Sequence, residues 1–281
     1  MDNQEIYYDS WKENRDIILE YNQVSLKDAT ISNILGLGVD NVTSKQAIVK
    51  VMKMIEDGGV HHVMALNPYK MVRYKANQDL NIIFNKASLK FASGAGVVRL
   101  SRISGAQPLT ERIPFLSFLM ELIRLAEIKE YSIFLVGAKP EIAEKAYSNL
   151  IKSFPKLRVV GRHGGFFNPE REKSVVEAIR KTQANIVLIG MGFPKEDKWI
   201  AKIRNSFQNA VLIGIGGSID IISGENMKAP AFFMERGLDW FYRCINRPWR
   251  YGRLFRVWLL FMYGHFFRIF LKGKAKAYRY R

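Results

Sequence analysis

The chain has 281 residues, 48% of them hydrophobic, which is enough for one large α/β domain or two smaller ones around a sizeable core. Its 43 lysines and arginines against 26 acidic residues give a formal net charge of +17, an excess that points to anionic partners: nucleic acid, anionic lipid or phosphorylated substrates. Cys244 is the single cysteine, which excludes an intramolecular disulfide, and the polar start MDNQEIYYDSWKENRD lacks the basic-then-apolar order of a secretory signal.

Residues 1–25 read as a polar lead-in that suits one amphipathic helix. The segment Ile31 to Val42 is apolar and carries Gly36 and Gly38. Thr43 and Ser44 then offer an N-cap for a helix from Lys45 to Glu56, closed by Gly58-Gly59. HHVMALNP predicts a short buried strand that ends in a turn at Asn67-Pro68. A helix is expected over Met71 to Phe84 and a strand over Leu89 to Ala92, stopped at Ser93-Gly94. Beyond it, helices are expected at Ile113–Lys129, Glu141–Phe154, Glu170–Lys181 and Lys198–Ser206. Strands alternate with them at Ser132–Val136, Leu157–Gly161, Ile186–Ile189 and Ala210–Ile215. Short apolar strands alternating with amphipathic helices predict an α/β fold, a parallel sheet with helices on both faces in the Rossmann-like manner. The body is expected to extend to about residue 240, with residues 241–281 as a separate appendage.

Ligands of such sheets sit at the carboxyl ends of the strands, so the strand-end loops are the places to look for chemistry. Asn67 stands at the first of them, although an Asn-Pro is most often only a turn. In Ser93-Gly94-Ala95-Gly96, glycines after a strand allow backbone N–H groups to approach a phosphate. Gly137 breaks one further strand, and Gly192 follows another that ends at Gly190. The run Ile213-Gly214-Ile215-Gly216-Gly217-Ser218-Ile219-Asp220, followed by Ser223, fits either close approach to a ligand or tight helix packing. It is not the spaced dinucleotide fingerprint, which disfavours a nicotinamide dehydrogenase. Glu196 and Asp197 follow Pro194 in the first turn of a helix, where they suit the helix dipole and are also placed to bind sugar or ribose hydroxyls. His61, His62, His163 and His265 show no metal-site spacing, and adjacent His61 and His62 on a strand point to opposite faces, a structural pattern. There is no G-x-S-x-G elbow.

After Asp239 there is no acidic residue, and arginines and lysines alternate with Trp, Tyr, Phe and Leu. The uncharged run from Val257 to Phe267 has 11 residues. As a helix it reaches only about 16 Å, against roughly 30 Å of hydrocarbon, so it is too short to span a bilayer. It is long enough to lie in the interface with its aromatics inserted and its arginines on headgroups. A helix packed on the body and a platform for single-stranded RNA are the other readings. Leu, Val, Met and Ile beside the aromatics argue against nucleic acid.

Taken in order, the motifs resemble the bacterial WecG/TagA/CpsF family of glycosyltransferases. The matching pieces are ILGLGVDNVT, ALNP, SGAGVV, LTERI, IFLVGAKP, GRHGGFF, IGMGFPKEDKWI, IGIGGSIDIISG, KAPAFFMERGLDWFYR and RPWRYGRLFR, over roughly residues 34 to 256. The resemblance implies metal-independent, inverting transfer of a sugar from a nucleotide donor, usually UDP-linked, to a polyprenyl-diphosphate-linked sugar. It also implies no cofactor and a peripheral place on the cytoplasmic face of the cell membrane, in the synthesis of envelope polysaccharide. A homo-oligomer is left open.

By position, the resemblance has Asn67 contact the sugar and Arg112 help to bind it, with Gly94, Gly96, Gly137 and Gly192 lining the substrate. Glu196 stands where the family commonly has a glutamine that reads the nucleotide. Gly214, Gly216, Gly217, Asp220 and Ser223 form the donor loop, and Arg243, Arg250 and Arg253 reach from the appendage to the diphosphate. Guanidinium forks suit that role because the leaving diphosphate gains charge in the transition state. Two positions depart from the pattern. Ala65 replaces a threonine, and Ser93 replaces the aspartate taken as general base. A serine hydroxyl is too weakly basic at neutral pH to replace that carboxylate. Glu111 and Glu196 are the candidate substitutes; the alternative is a catalytically weak relative that binds the same ligands.

Overall fold

Apolar segments and amphipathic helices alternate in the computed structural model much as their sequence pattern predicts. The structure describes residues 14–227 apart from Ala106, together with Ala229, Pro230, Phe232, Phe233, Arg236 and Tyr242. A helix over 14–22 (α1) leads into a hairpin of β1 (Thr30–Ile34) and β2 (Leu37–Asn41). There follow α2 (Ser44–Asp57), β3 (Val60–Leu66), α3 (Pro68–Ala76), α4 (Gln78–Asn85), β4 (Leu89–Ala92), α5 (Ala95–Ile103) and α6 (Phe115–Ile128). Then come β5 (Ser132–Gly137), α7 (Pro140–Ser153), β6 (Arg158–His163), α8 (Pro169–Thr182), β7 (Ile186–Gly190), α9 (Lys195–Ile203), β8 (Ala210–Gly214) and α10 (Ser218–Ile222).

Strands β3 to β8 form one parallel sheet in the order β4-β3-β8-β7-β5-β6. Its two middle strands, β8 and β7, are apolar at every position because both faces are covered. Ile133, Leu135, Ile186, Leu188, Val211 and Ile213 face a core shared with α2, α6 and α7. Their alternates Phe134, Val136, Val187, Ile189 and Leu212 face α8 and α9. Met64 and Leu66 of β3 join α3, α4, α5 and the hairpin in a third cluster. The expected sheet with helices on both faces is therefore present.

Four details differ from the sequence expectation. The apolar segment from Ile31 to Val42 is an antiparallel hairpin, turning at Leu35 and Gly36 with φ of 55° and 83°. Two left-handed residues are what a two-residue hairpin turn requires, and Gly36 supplies one of them without strain. The hairpin also covers the edge strand: Asp40 Oδ2 accepts the Lys90 N–H of β4 at 2.8 Å and Asp40 pairs with Lys50 at 2.9 Å. The helix expected over Met71 to Phe84 is two helices. Asn77 takes an extended conformation, ends α3 with its N–H on Arg73 O and starts α4 with its side chain on Leu80 N. The loop after Ser93 opens α5, with Gly94 as N-cap and Val97 and Val98 buried. The helix expected from Lys198 starts at Lys195 and gives way to a 3-10 turn at Arg204–Ser206. By contrast, Thr43 caps α2 in a full capping box with Gln46.

Candidate functional site

Because the six strands are parallel, all their carboxyl-end loops lie along one edge of the sheet, where the predicted residues gather in two groups. At the ends of β3 and β4, the Leu66 carbonyl accepts Ser93 N (2.8 Å), Gly94 N (3.0 Å) and Ser93 Oγ (3.0 Å). Asn67 caps α3 with its Oδ1 on Lys70 N at 2.9 Å, leaving the residue exposed at the rim. A Cβ on Gly94 would lie 3.2 Å from Asn67 Cα, so this glycine lets the two loops touch. Arg112 Nε donates to Ser93 O at 3.0 Å, and Gly96 lies in the first turn of α5. Asn67, Ser93, Gly94, Gly96 and Arg112 thus form one group.

The second group spans β5, β6, β7 and β8. A Cβ on Gly137 would sit 2.6 Å from Gly190 Cα, a clash with backbone that cannot relax cheaply. Ala138 N donates to Gly190 O (3.0 Å) and Gly165 N to Ala138 O (2.7 Å), which stitches these loops side by side. Lys195 Nζ donates to Gly165 O at 3.1 Å and lies 5.3 Å from the ring of Phe166, which is 72% exposed. Asp220 sits in the first turn of α10, its Oδ2 3.6 Å from where a Cβ on Gly217 would be. Ser223 is buried, and its Oγ donates to Asp220 O at 3.0 Å.

Glu196 lies between the groups and beneath them, 1% exposed. Its Oε2 accepts both Gly192 N (2.9 Å) and Gly216 N (3.0 Å), and its Oε1 is 3.7 Å from Lys70 Nζ. A Cβ on Gly214 would stand 3.2 Å from Glu196 Cδ. Of the two readings of the glycine run, Gly214 therefore answers to tight packing: its missing side chain makes room for this carboxylate. The N–H groups of Gly192 and Gly216 turn inward to Glu196.

Asp197, equally buried, receives Tyr74 OH on Oδ2 at 2.5 Å and has His62 Nε2 3.5 Å from Oδ1. Burial pushes Glu196 up to about 7, against the pull of Lys70 and the two glycine N–H groups. Asp197 behaves oppositely. Burial opposes its ionisation, yet Lys70, His62 and Tyr74 together hold it down to about 2. Burial also lowers His62, against the pull of Asp197, and raises the Tyr74 phenol, a shift that Asp197 reinforces.

The sequence pattern marked Glu196 and Asp197 but not Lys70 or Tyr74, and it took His62 only as structural. A lysine and a tyrosine on a helix are ordinary surface residues until α3 packs on the start of α9. The other candidate base, Glu111, accepts Ser44 N at the start of α2, a cap contact. Arg243, Arg250 and Arg253, the proposed boundary at 240 and the tail from Val257 lie outside the described residues. Among the described residues, no three His, Cys, Asp or Glu side chains converge as metal ligands, and no helix is long and apolar enough to cross a membrane.

The chain is 31% identical over 235 residues, 82% of its length and 90% of theirs, to N-acetylglucosaminyldiphosphoundecaprenol N-acetyl-beta-D-mannosaminyltransferases of Staphylococcus aureus strains MW2 and COL. Residues 32–276 match the family of glycosyl transferases described as WecG/TagA/CpsF, a span that covers every strand of the sheet. The chain belongs to the WecG/TagA/CpsF family and is a glycosyltransferase.

Proposed function

We propose that this enzyme moves an N-acetylhexosamine, in the first instance N-acetylmannosamine, from a UDP-linked donor to a polyprenyl-diphosphate-linked N-acetylglucosamine. The relatives are named for that acceptor and that sugar, and this single observation carries the reading. The sheet edge is compatible with it. Glycine-rich loops at the ends of β7 and β8 suit a nucleoside diphosphate, while Asn67 and Arg112 lie alongside at the ends of β3 and β4. In the inverting, metal-independent reaction proposed, the acceptor hydroxyl attacks the anomeric carbon opposite the diphosphate and UDP departs. The hydroxyl proton passes to a base. Arginines would then carry the charge that develops on the leaving diphosphate.

A second reading, a relative that binds these ligands but turns them over slowly, is favoured by one observation. Ser93 stands where the family aspartate is expected, and its Oγ already donates to Leu66 O. Glu196 and Asp197 are buried and Glu111 accepts Ser44 N as a cap contact, so all three carboxylates are already engaged by other groups. A thermal-shift panel over UDP and GDP sugars tests the donor class. UDP at 100 times its Kd should stabilise the fold by about 2.7 kcal/mol, and an equal shift with GDP would overturn the assignment. The membrane part of the proposal, attachment of the basic and aromatic tail to an anionic leaflet, is tested separately by flotation.

A further inference from the structure

The strongest polar feature that the reaction does not use directly is the carboxylate under the loops. Glu196 holds one loop from β7 and one from β8 through a single oxygen, and Lys70 brings in the loop from β3 through the other. Lys70 stands on the first turn of α3, three residues after the cap Asn67, so three of the six strand-end loops converge on this one side chain. The contact is built, not incidental. Gly214 leaves space for the Glu196 side chain, and Lys70 is itself buried, with its ammonium 5.4 Å from the Phe193 ring. Gly192 and Gly216 both have positive φ, 79° and 48°, which turns their N–H groups toward the same oxygen.

We infer that Glu196, with Lys70 as its counter-ion, is a positioning residue that sets the spacing of the β7–α9 and β8–α10 loops and through them the affinity for the donor diphosphate, without touching the donor. The inference rests on the proposed donor site in one respect only, that these loops hold the diphosphate. The chemistry of the side chain makes the claim specific. A glutamine can place its amide oxygen where Oε2 sits and accept both N–H groups, whereas an alanine leaves two buried donors without an acceptor. Removing the Lys70 charge leaves a buried carboxylate without its counter-ion, which weakens the clasp from the other side.

The test combines two measurements on the full chain, amide hydrogen exchange at Gly192 and Gly216 and calorimetric titration with UDP. In Glu196→Ala, exchange at both glycines should accelerate by about tenfold or more as the local opening energy falls, with UDP binding weakened to a similar degree. Glu196→Gln should stay within about threefold of wild type on both measures because the acceptor is kept. Lys70→Met, which keeps the aliphatic stem, should fall between them. The inference is overturned if Glu196→Ala exchanges and binds like wild type. It is equally overturned if Glu196→Gln loses as much UDP affinity as Glu196→Ala, since that would make Glu196 a charge that the ligand feels. Should Glu196→Ala fail to fold, wild-type exchange in Lys70→Met removes the clasp on its own. Wild type that binds no UDP, with exchange still accelerated in the variants, would discard the donor site and confirm the clasp.

Discussion

Tyr74 and Asp197 show how a buried charge is kept in this fold. The phenol donates at 2.5 Å to a carboxylate that has almost no solvent. Tyr74→Phe removes that donor and little else, so the protein should lose about 1.5–3 kcal/mol, the usual worth of a hydrogen bond to a charged group. Urea unfolding measures the loss, and a change below a few tenths would mean that Asp197 is satisfied without it. The same cluster sets two opposed pH dependences. Asp197 is held near 2, below its ordinary 3.8, so its contribution is present above about pH 3.8 and is lost as pH falls toward 2. Glu196 is raised from 4.5 to about 7, so its contribution is full below pH 4.5 and declines as pH rises through 7. Urea midpoints across pH should accordingly lose the acid limb in Asp197→Asn and the decline between pH 4.5 and 7 in Glu196→Gln. Unchanged profiles would contradict both assignments.

We propose that Ser93 limits turnover. With the family carboxylate absent, Ser93→Asp should raise kcat by at least about tenfold, toward the roughly 10²–10⁴-fold typical of a positioned base. An unchanged rate would locate the base elsewhere. Ser93 and Ala65 were legible as departures in the sequence, whereas the burial of Glu196 was not. A carboxylate in the first turn of a helix reads as a cap until the glycines at 192, 214 and 216 are seen folded around it.

At the scale of elements, the strands were the most legible part because a sheet covered on both faces needs uninterrupted apolar runs, and β3, β4, β5, β7 and β8 fall where those runs are. The hairpin was not legible. Its strands are only five residues each, β1 with two buried positions and β2 with four, and Leu35 enters the left-handed region without being glycine. The division of α3 from α4 rests on Asn77 alone, which serves both helices as a cap, and the surrounding helical periodicity hides it. Close approach of β5 and β7 at Gly137 is an element-level constraint with a direct test. Gly137→Ala places a methyl 2.6 Å from Gly190 backbone atoms, and φ at 155° adds strain for any side chain. The substitution should cost about 2 kcal/mol or more, read as a lowered denaturation midpoint. Wild-type stability would show that the loops can separate without penalty.

Over the whole molecule, charge and chemistry point the same way. A chain with 43 basic and 26 acidic residues, whose relatives act on a diphosphate carried by a polyprenyl lipid, has reason to approach an anionic leaflet. Deleting from Val257 onward should abolish flotation with anionic vesicles while leaving UDP affinity intact. Loss of both together would make the tail part of the catalytic body. The family, the sheet and the class of lipid-linked acceptor were readable from ordered motifs, but the donor sugar and the acceptor's sugar were not, since pocket chemistry depends on side chains brought together from loops far apart in sequence.

The most direct measurement is mass spectrometry of the lipid product after incubating the full chain with UDP-N-acetylmannosamine and a short-chain polyprenyl-diphosphate-N-acetylglucosamine. The account predicts an acceptor heavier by one N-acetylhexosamine residue, with one UDP released for each transfer. An unmodified acceptor and no UDP release, from protein that still binds UDP, would contradict it and leave a ligand-binding relative in its place.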